Sequence, residues 1–286
     1  MSIVVTGATG HLGRLVVQHL LADGVPAAEI VAAGRRTERL ADLAEQGVRV
    51  AAVDYAEPAT LAAAFAGADV VLLVSGSEVG QRVPQHRAVI EAAKVAGVGR
   101  VVYTSAPKAD TSPLVLAPEH KATEEILRAS GVTFTILRNG WYTENYVGDV
   151  QQARETGEIV AAVGTGRVAS AARDDFAAAA AVVLRTEGHD DAVYELAGDE
   201  AWAFEDLAAA ASEVLGRPVV FRAVTSEERL AGLLAAGLDE GTAGFVVALD
   251  ENTRDGLLAG ADGSLSRLIG RPTTPLVDAL RAALAS

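Results

Sequence analysis

Short, almost unbroken apolar runs alternate with alanine-rich stretches of helical length through the first 140 residues of the chain. SIVVT, EIVAA, VRVAAV, DVVLLV, RVVYT and TFTIL are six such runs. A strand with one face in water alternates apolar and polar residues; these do not, so each is predicted to be covered on both faces. Between them, LGRLVVQHLLADG, RLADLAEQG, ATLAAAFAGA and HRAVIEAAKVAG are the helical candidates. Three of these segments close on a glycine suited to the left-handed residue that ends a helix: Gly24, Gly47 and Gly97. Strand–helix alternation at this spacing predicts right-handed βαβ units and an α/β fold, a doubly wound parallel Rossmann sheet.

The rhythm breaks after Leu137. RNGWYTENY packs three aromatics and two asparagines into nine residues. A glycine-punctuated stretch follows (GEIVAAVGTGRVAS), then an alanine helix from about Asp174 to Leu184 and a strand candidate, AVYELAG. The remainder reads as helices around one strand, VVFRAV, with Thr274 and Pro275 opening the last helix. The expected division is a Rossmann domain over residues 1–140 and a smaller α/β substrate-side region over 141–286. Residues from about 173 to 197 of that region should be woven back into the sheet.

Composition narrows the partners. Half of the 286 residues are apolar and only 5% aromatic, which suits a tightly packed α/β core. The net charge of -14 argues against nucleic acid or an anionic membrane, since both reward the opposite sign. Zero cysteines exclude a disulfide framework and a thiolate metal site. No histidine pair has metal-ligand spacing, and His86 and His120 are expected to serve packing or surface. Without a basic leader or an apolar run of ~18 residues, a cytoplasmic protein is expected.

Gly7-Ala8-Thr9-Gly10-His11-Leu12-Gly13 follows the first strand and opens the first helix. In that place one glycine permits the sharp turn, one lets a pyrophosphate reach the backbone, and one lets helix and sheet pack closely. An NAD-preferring protein places a carboxylate about twenty residues further on, for the ribose 2′-hydroxyl. Here the second strand ends in Ala33-Gly34-Arg35-Arg36, with no carboxylate. A guanidinium suits the 2′-phosphate, so NADPH is the predicted cofactor. Asp54-Tyr55, just past the third strand, could border the adenine, or Asp54 could cap a helix.

These motifs, with SEVGQRVPQHRAVIEAAKVAGV, YTSAPKADTSPL, LRNGWYTENY, GRVASAARDDFAAAAA, YELAGDEAW and LIGRPTTPL, resemble the atypical short-chain dehydrogenases of the NmrA-like group nearly end to end. Within it the chain looks most like the bacterial type 2 NAD(P)H:quinone oxidoreductases, with the triphenylmethane reductases as near relatives. The resemblance implies that Gly7 to Leu12 hold the pyrophosphate and Arg35 the 2′-phosphate. It implies that Ser75, Gly76 and Ser77 border the adenosine side, with Gln81 nearby. Arg138, Asn139, Gly140, Trp141, Tyr142 and Thr143 would surround the nicotinamide and the acceptor, and Arg173 matches a cofactor-pocket position. Read as residues, Trp141, Tyr142 and Tyr146 could stack on a flat acceptor while Asn139 and Asn145 hydrogen-bond its oxygens.

One departure bears on the chemistry. Short-chain dehydrogenases pair a tyrosine with a lysine four residues on; Lys121 is present, but position 117 is alanine. Hydride addition to a ketone leaves an alkoxide, whose conjugate acid is about as weak as water, pKa ~15.7. A quinone leaves a phenolate-like anion instead, with a conjugate acid near pKa ~10. At ~1.36 kcal/mol per pH unit the difference is roughly 8 kcal/mol of charge stabilisation that the protein need not supply. A modest hydrogen bond from Asn139 or Tyr142 could suffice. Lys121 could bind the nicotinamide ribose, or face solvent among Glu119, Glu124 and Glu125. Ser105 reads as a nicotinamide-side hydrogen-bonder. The expected activity is hydride transfer from NADPH, without flavin, to quinones or similar flat, electron-poor acceptors. The alternative is an NADP(H)-binding redox sensor that regulates a protein partner without turnover.

Overall fold

A computed structural model describes residues 1–78 and 80–285. The chain begins with β1 (Ile3–Val5), α1 (His11–Ala22), β2 (Ile30–Gly34), α2 (Ala41–Glu45), β3 (Arg49–Ala52) and α3 (Pro58–Phe65). It continues through β4 (Val70–Leu73), α4 (Arg82–Val95), β5 (Arg100–Ser105), α5 (Ala117–Ala129) and β6 (Thr133–Asn139). Then come α6 (Val147–Thr156), β7 (Glu158–Ala161), β8 (Arg167–Val168), α7 (Arg173–Arg185) and β9 (Ala192–Leu196). β10 (Trp202–Ala203), α8 (Phe204–Leu215), β11 (Val220–Ala223), α9 (Ser226–Ala235), α10 (Glu240–Arg254), α11 (Ser264–Ile269) and α12 (Leu276–Ala285) complete it.

Two compact units form. The first comprises residues 1–110, 116–139 and 173–195. Its sheet has seven strands in the order β3-β2-β1-β4-β5-β6-β9. β1 pairs in parallel with both β2 and β4, so the strand order reverses direction beside β1. The remaining registers are parallel from β2 to β3, β4 to β5 and β5 to β6. Asp191 N–H donates to the Phe134 carbonyl at one end of β6, and Gly140 N–H to the Leu196 carbonyl at the other, so β9 runs parallel too. β1, β2, β4 and β5 are buried along their whole length, as their unbroken apolar runs require, whereas the edge strand β3 is largely open. Helices α3, α4 and α5 pack side by side, and α1 packs on α7, whose alanines bring the two axes close. This is the doubly wound α/β architecture predicted from the strand–helix alternation.

The second unit comprises residues 111–115, 140–172 and 196–286. VVFRAV is not a solitary strand. β11 pairs in parallel with β7, and the two-residue β10 pairs antiparallel with β8. The GEIVAA segment read only as glycine-punctuated therefore supplies β7. Tyr146, Trp202, Phe204 and Phe221 stack into an aromatic core, with Tyr146 set edge-on to Trp202 at 5.0 Å between ring centres. Tyr146 is thus a core residue rather than an open platform for an acceptor. Among the described residues no helix is long and apolar enough to cross a membrane.

Candidate functional site

A cavity of about 700 Å³ lies at the C-terminal ends of β1 to β4. That is the crevice where open parallel sheets take ligands, at the point where the strand order reverses. One wall is the glycine turn, and each glycine has a geometric reason. Gly7 adopts φ +63°, a region an L side chain rarely enters. A Cβ at Gly13 would stand 2.5 Å from the Gly7 carbonyl oxygen, and one at Gly34 would stand 2.8 Å from the Thr9 side chain. The N-cap of α1 is Gly10, which has no side chain to cap the helix, and the first turn carries no acid. The first amides of α1 and the positive end of its dipole are therefore left for an anion. This bare cradle, backed by close packing that no side chain could enter, fits a dinucleotide pyrophosphate.

Gly7, Thr9, Gly10, His11, Leu12 and Gly13 all line the cavity, as do Arg35, Ser75, Gly76 and Ser77. Ala8 is fully buried behind the turn, its N–H held by the Ala33 carbonyl. Gln81 is the N-cap of α4, and Gln85, one turn on, reaches the cavity. Arg14, Arg36 and Arg39 join Arg35 on the wall, four basic residues in a chain whose net charge is -14. Asp54 and Tyr55 line it as well. The Tyr55 hydroxyl lies 2.5 Å from Thr6 Oγ1 and 2.9 Å from the Val74 carbonyl, tying the ends of β1, β3 and β4 together. Burial pushes its phenol pKa up, so it stays protonated.

The loop after β4 is pinned by residues that the motifs did not single out. Arg82 Nε donates to the Gly76 carbonyl at 2.7 Å, and Gly76 N–H donates to His86 Nε2 at 3.0 Å. Because Nε2 accepts, the proton of His86 is on Nδ1, 3.0 Å from Thr123 Oγ1. Burial holds its pKa down at about 4. Glu119 accepts from Gly80 N–H and from Arg82. A legible signal existed: Arg82 and His86 are four apart at the start of a helix, so both address the loop just before it. His120, also buried, meets the Tyr103 hydroxyl at 2.8 Å, and no group of residues suited to a metal occurs among the described residues.

The residues expected around the nicotinamide fall into two groups. Arg138 and Asn139 end β6 and are buried in the first unit. The Arg138 guanidinium is turned to carboxylates: both oxygens of Glu124 at 2.9 and 2.7 Å, Glu195 at 2.9 Å and Asp110 at 3.0 Å. Ser105 donates to the same Glu124 at 2.6 Å. Glu124 is therefore the buried centre of this network, not a solvent-facing neighbour of Lys121, which is exposed on α5. Ala117 is only 2% exposed, so the missing phenol has left no space behind it. Gly140, Trp141, Tyr142 and Thr143 belong to the second unit and run beside residues 170–171. Thr143 N–H donates to the Ala171 carbonyl, and Thr143 Oγ1 meets Ser170 Oγ at 2.8 Å. A Cβ at Gly140 would stand 2.8 Å from the Leu196 carbonyl oxygen, so this position tolerates only glycine. Trp141 and Tyr142 are half-buried. Arg173 is the first residue of α7.

The fold and the glycine cradle define a dinucleotide-binding protein of the doubly wound class. Residues 7–187 match the NAD(P)H-binding family. The chain is 46% identical over 278 residues to quinone oxidoreductase 2 of Escherichia coli K12, covering 97% of each. A crystal structure of the NADPH-dependent quinone oxidoreductase from that organism, complexed with NADPH, superposes with a TM-score of 0.93 and covers 98% of this chain and 99% of that one. Triphenylmethane reductase from Citrobacter sp. superposes equally well, TM-score 0.93, at 39% identity over the whole of both chains. The chain belongs to the NAD(P)H-binding family, within its NmrA-like group.

Proposed function

We propose that the protein is an NADPH-dependent, flavin-free oxidoreductase that delivers hydride to quinones or similarly flat, electron-poor acceptors. The observation that carries this is the pairing of a complete dinucleotide cradle with a buried Ala117 where a ketone reductase would keep its acid. Near-full-length similarity to a quinone oxidoreductase and to a dye reductase supports the same reading. When bound, NADPH supplies both electrons and the hydrogen as one hydride. The chain's own part is to bind and orient. Gly7 to Gly13 take the pyrophosphate on backbone amides, and the arginines beside β2 take the 2′-phosphate. Asn139, at the C-terminal end of β6, donates a hydrogen bond to the acceptor oxygen as negative charge develops there. Ser105 is committed to Glu124, and Lys121 to solvent, so neither is assigned the proton.

The test is NADPH oxidation with a benzoquinone and a naphthoquinone, without added flavin. Turnover above the uncatalysed rate with these, and none with simple aliphatic ketones, is expected. Binding of dinucleotide without turnover on any acceptor would turn the assignment to a redox sensor.

A further inference from the structure

Arg35 does not wait unpartnered for a phosphate. Its Nη1 donates to Glu78 Oε1 at 2.8 Å, and Gln85 Nε2 donates to the other oxygen, Oε2, at 3.0 Å. Arg35, Glu78 and Gln85 all line the dinucleotide cavity. Residues two positions to either side of Glu78 are held by neighbouring side chains. Gly76 is gripped through its carbonyl and its N–H by Arg82 and His86, and Gly80 through its N–H by Glu119.

We propose that Glu78 is a specificity-determining residue, a built-in counter-anion that competes with the cofactor 2′-phosphate for Arg35 and so restrains the preference for NADPH over NADH. The proposal rests on the dinucleotide-binding reading above. The two cofactors differ only at the 2′ position, where NADPH brings a phosphate and NADH a neutral hydroxyl. A phosphate that takes Nη1 of Arg35 must displace a carboxylate, and the carboxylate remains in the same cavity as a like charge. Both effects weaken NADPH. NADH leaves the ion pair intact, and a carboxylate oxygen is a suitable acceptor for a ribose hydroxyl. The pair is exposed, Arg35 by 61% and Glu78 by 44%, so the competition is worth a few-fold in affinity rather than orders of magnitude.

The experiment is calorimetric titration of NADPH and NADH into the unmodified chain, Glu78→Gln, Arg35→Gln and the double variant, at two salt concentrations. Glu78→Gln is expected to tighten NADPH about three- to tenfold, with NADH unchanged or slightly weaker and the gain shrinking at high salt. In the Arg35→Gln background the same substitution should give no more than a small residual gain, which separates competition for Arg35 from mere loss of a negative charge. An unchanged NADPH affinity, equal tightening of both dinucleotides, or an undiminished gain without Arg35 each overturns the proposal while the dinucleotide-binding reading stands. Binding of neither dinucleotide by the unmodified chain removes both.

Discussion

On the reading proposed above, the guanidinium that follows β2 meets either a phosphate dianion or a neutral hydroxyl, depending on which dinucleotide arrives. Arg35→Asp replaces attraction with repulsion at that atom, so KM for NADPH should rise at least about tenfold and KM for NADH much less. Initial rates with both cofactors measure it, and a parallel rise in both would mean that Arg35 does not meet the phosphate. Position 117 argues differently. Ala117 is buried, so Ala117→Tyr overfills its surroundings and should cost about 1–3 kcal/mol without conferring ketone reduction. A thermal melt with an aliphatic-ketone assay checks both halves. That Arg35 lines the cavity was legible in the sequence, because its place there depends on a fixed offset from a glycine turn. The partners of such residues were not. Glu78 showed no partner in the sequence, since Arg35 lies 43 positions away and only the sheet brings them together. Glu124 looked like one more acid on a charged helix, because nothing local reveals which face α5 buries.

The six leading runs are the six leading strands, five of them covered on both faces as expected, whereas β3, at the sheet's edge, is largely open in spite of its apolar run. β8 and β10 were not legible in the sequence, because each is only two residues long, and β7 was not because it lies in a glycine-punctuated stretch and pairs with β11 some sixty residues on. At the same scale, the C-terminal ends of β5, β6 and β9 are joined to α5 through Ser105, Arg138, Glu195 and Glu124. Removing one member of a buried ion pair leaves the other charge stranded. Arg138→Met should therefore cost about 3–5 kcal/mol, and Ser105→Ala, which takes one hydrogen bond from a charged group, about 1–3. Hydrogen exchange on β5 and β6 reads this locally. Unchanged protection in Arg138→Met would mean that the network is ornamental to the sheet.

At the scale of the molecule, pH acts on the two units with opposite sign. In the first unit, burial holds His86 at about 4 and His120 at about 3, both below the ordinary 6.5. Their contribution to stability is whole above pH 6.5 and is lost as pH falls from there toward those values, because the unfolded chain binds the proton first. In the second unit, burial raises Asp149 from 3.8 to about 6, against the lowering pull of Arg229 and with a further push from Asp250. The ionised carboxylate therefore costs stability above pH 6, and the cost fades as pH falls toward 4. At about 1.4 kcal/mol per pH unit, its upper limit is roughly 3 kcal/mol. Acidification from pH 7.5 to 5 should thus loosen the first unit and firm the second, read by hydrogen exchange unit by unit. Asp149→Asn removes the titration while keeping the shape. It should raise the melting temperature at pH 7.5, with the difference closing near pH 4.5, whereas an equal shift at both pH values would show that Asp149 is not the group that titrates.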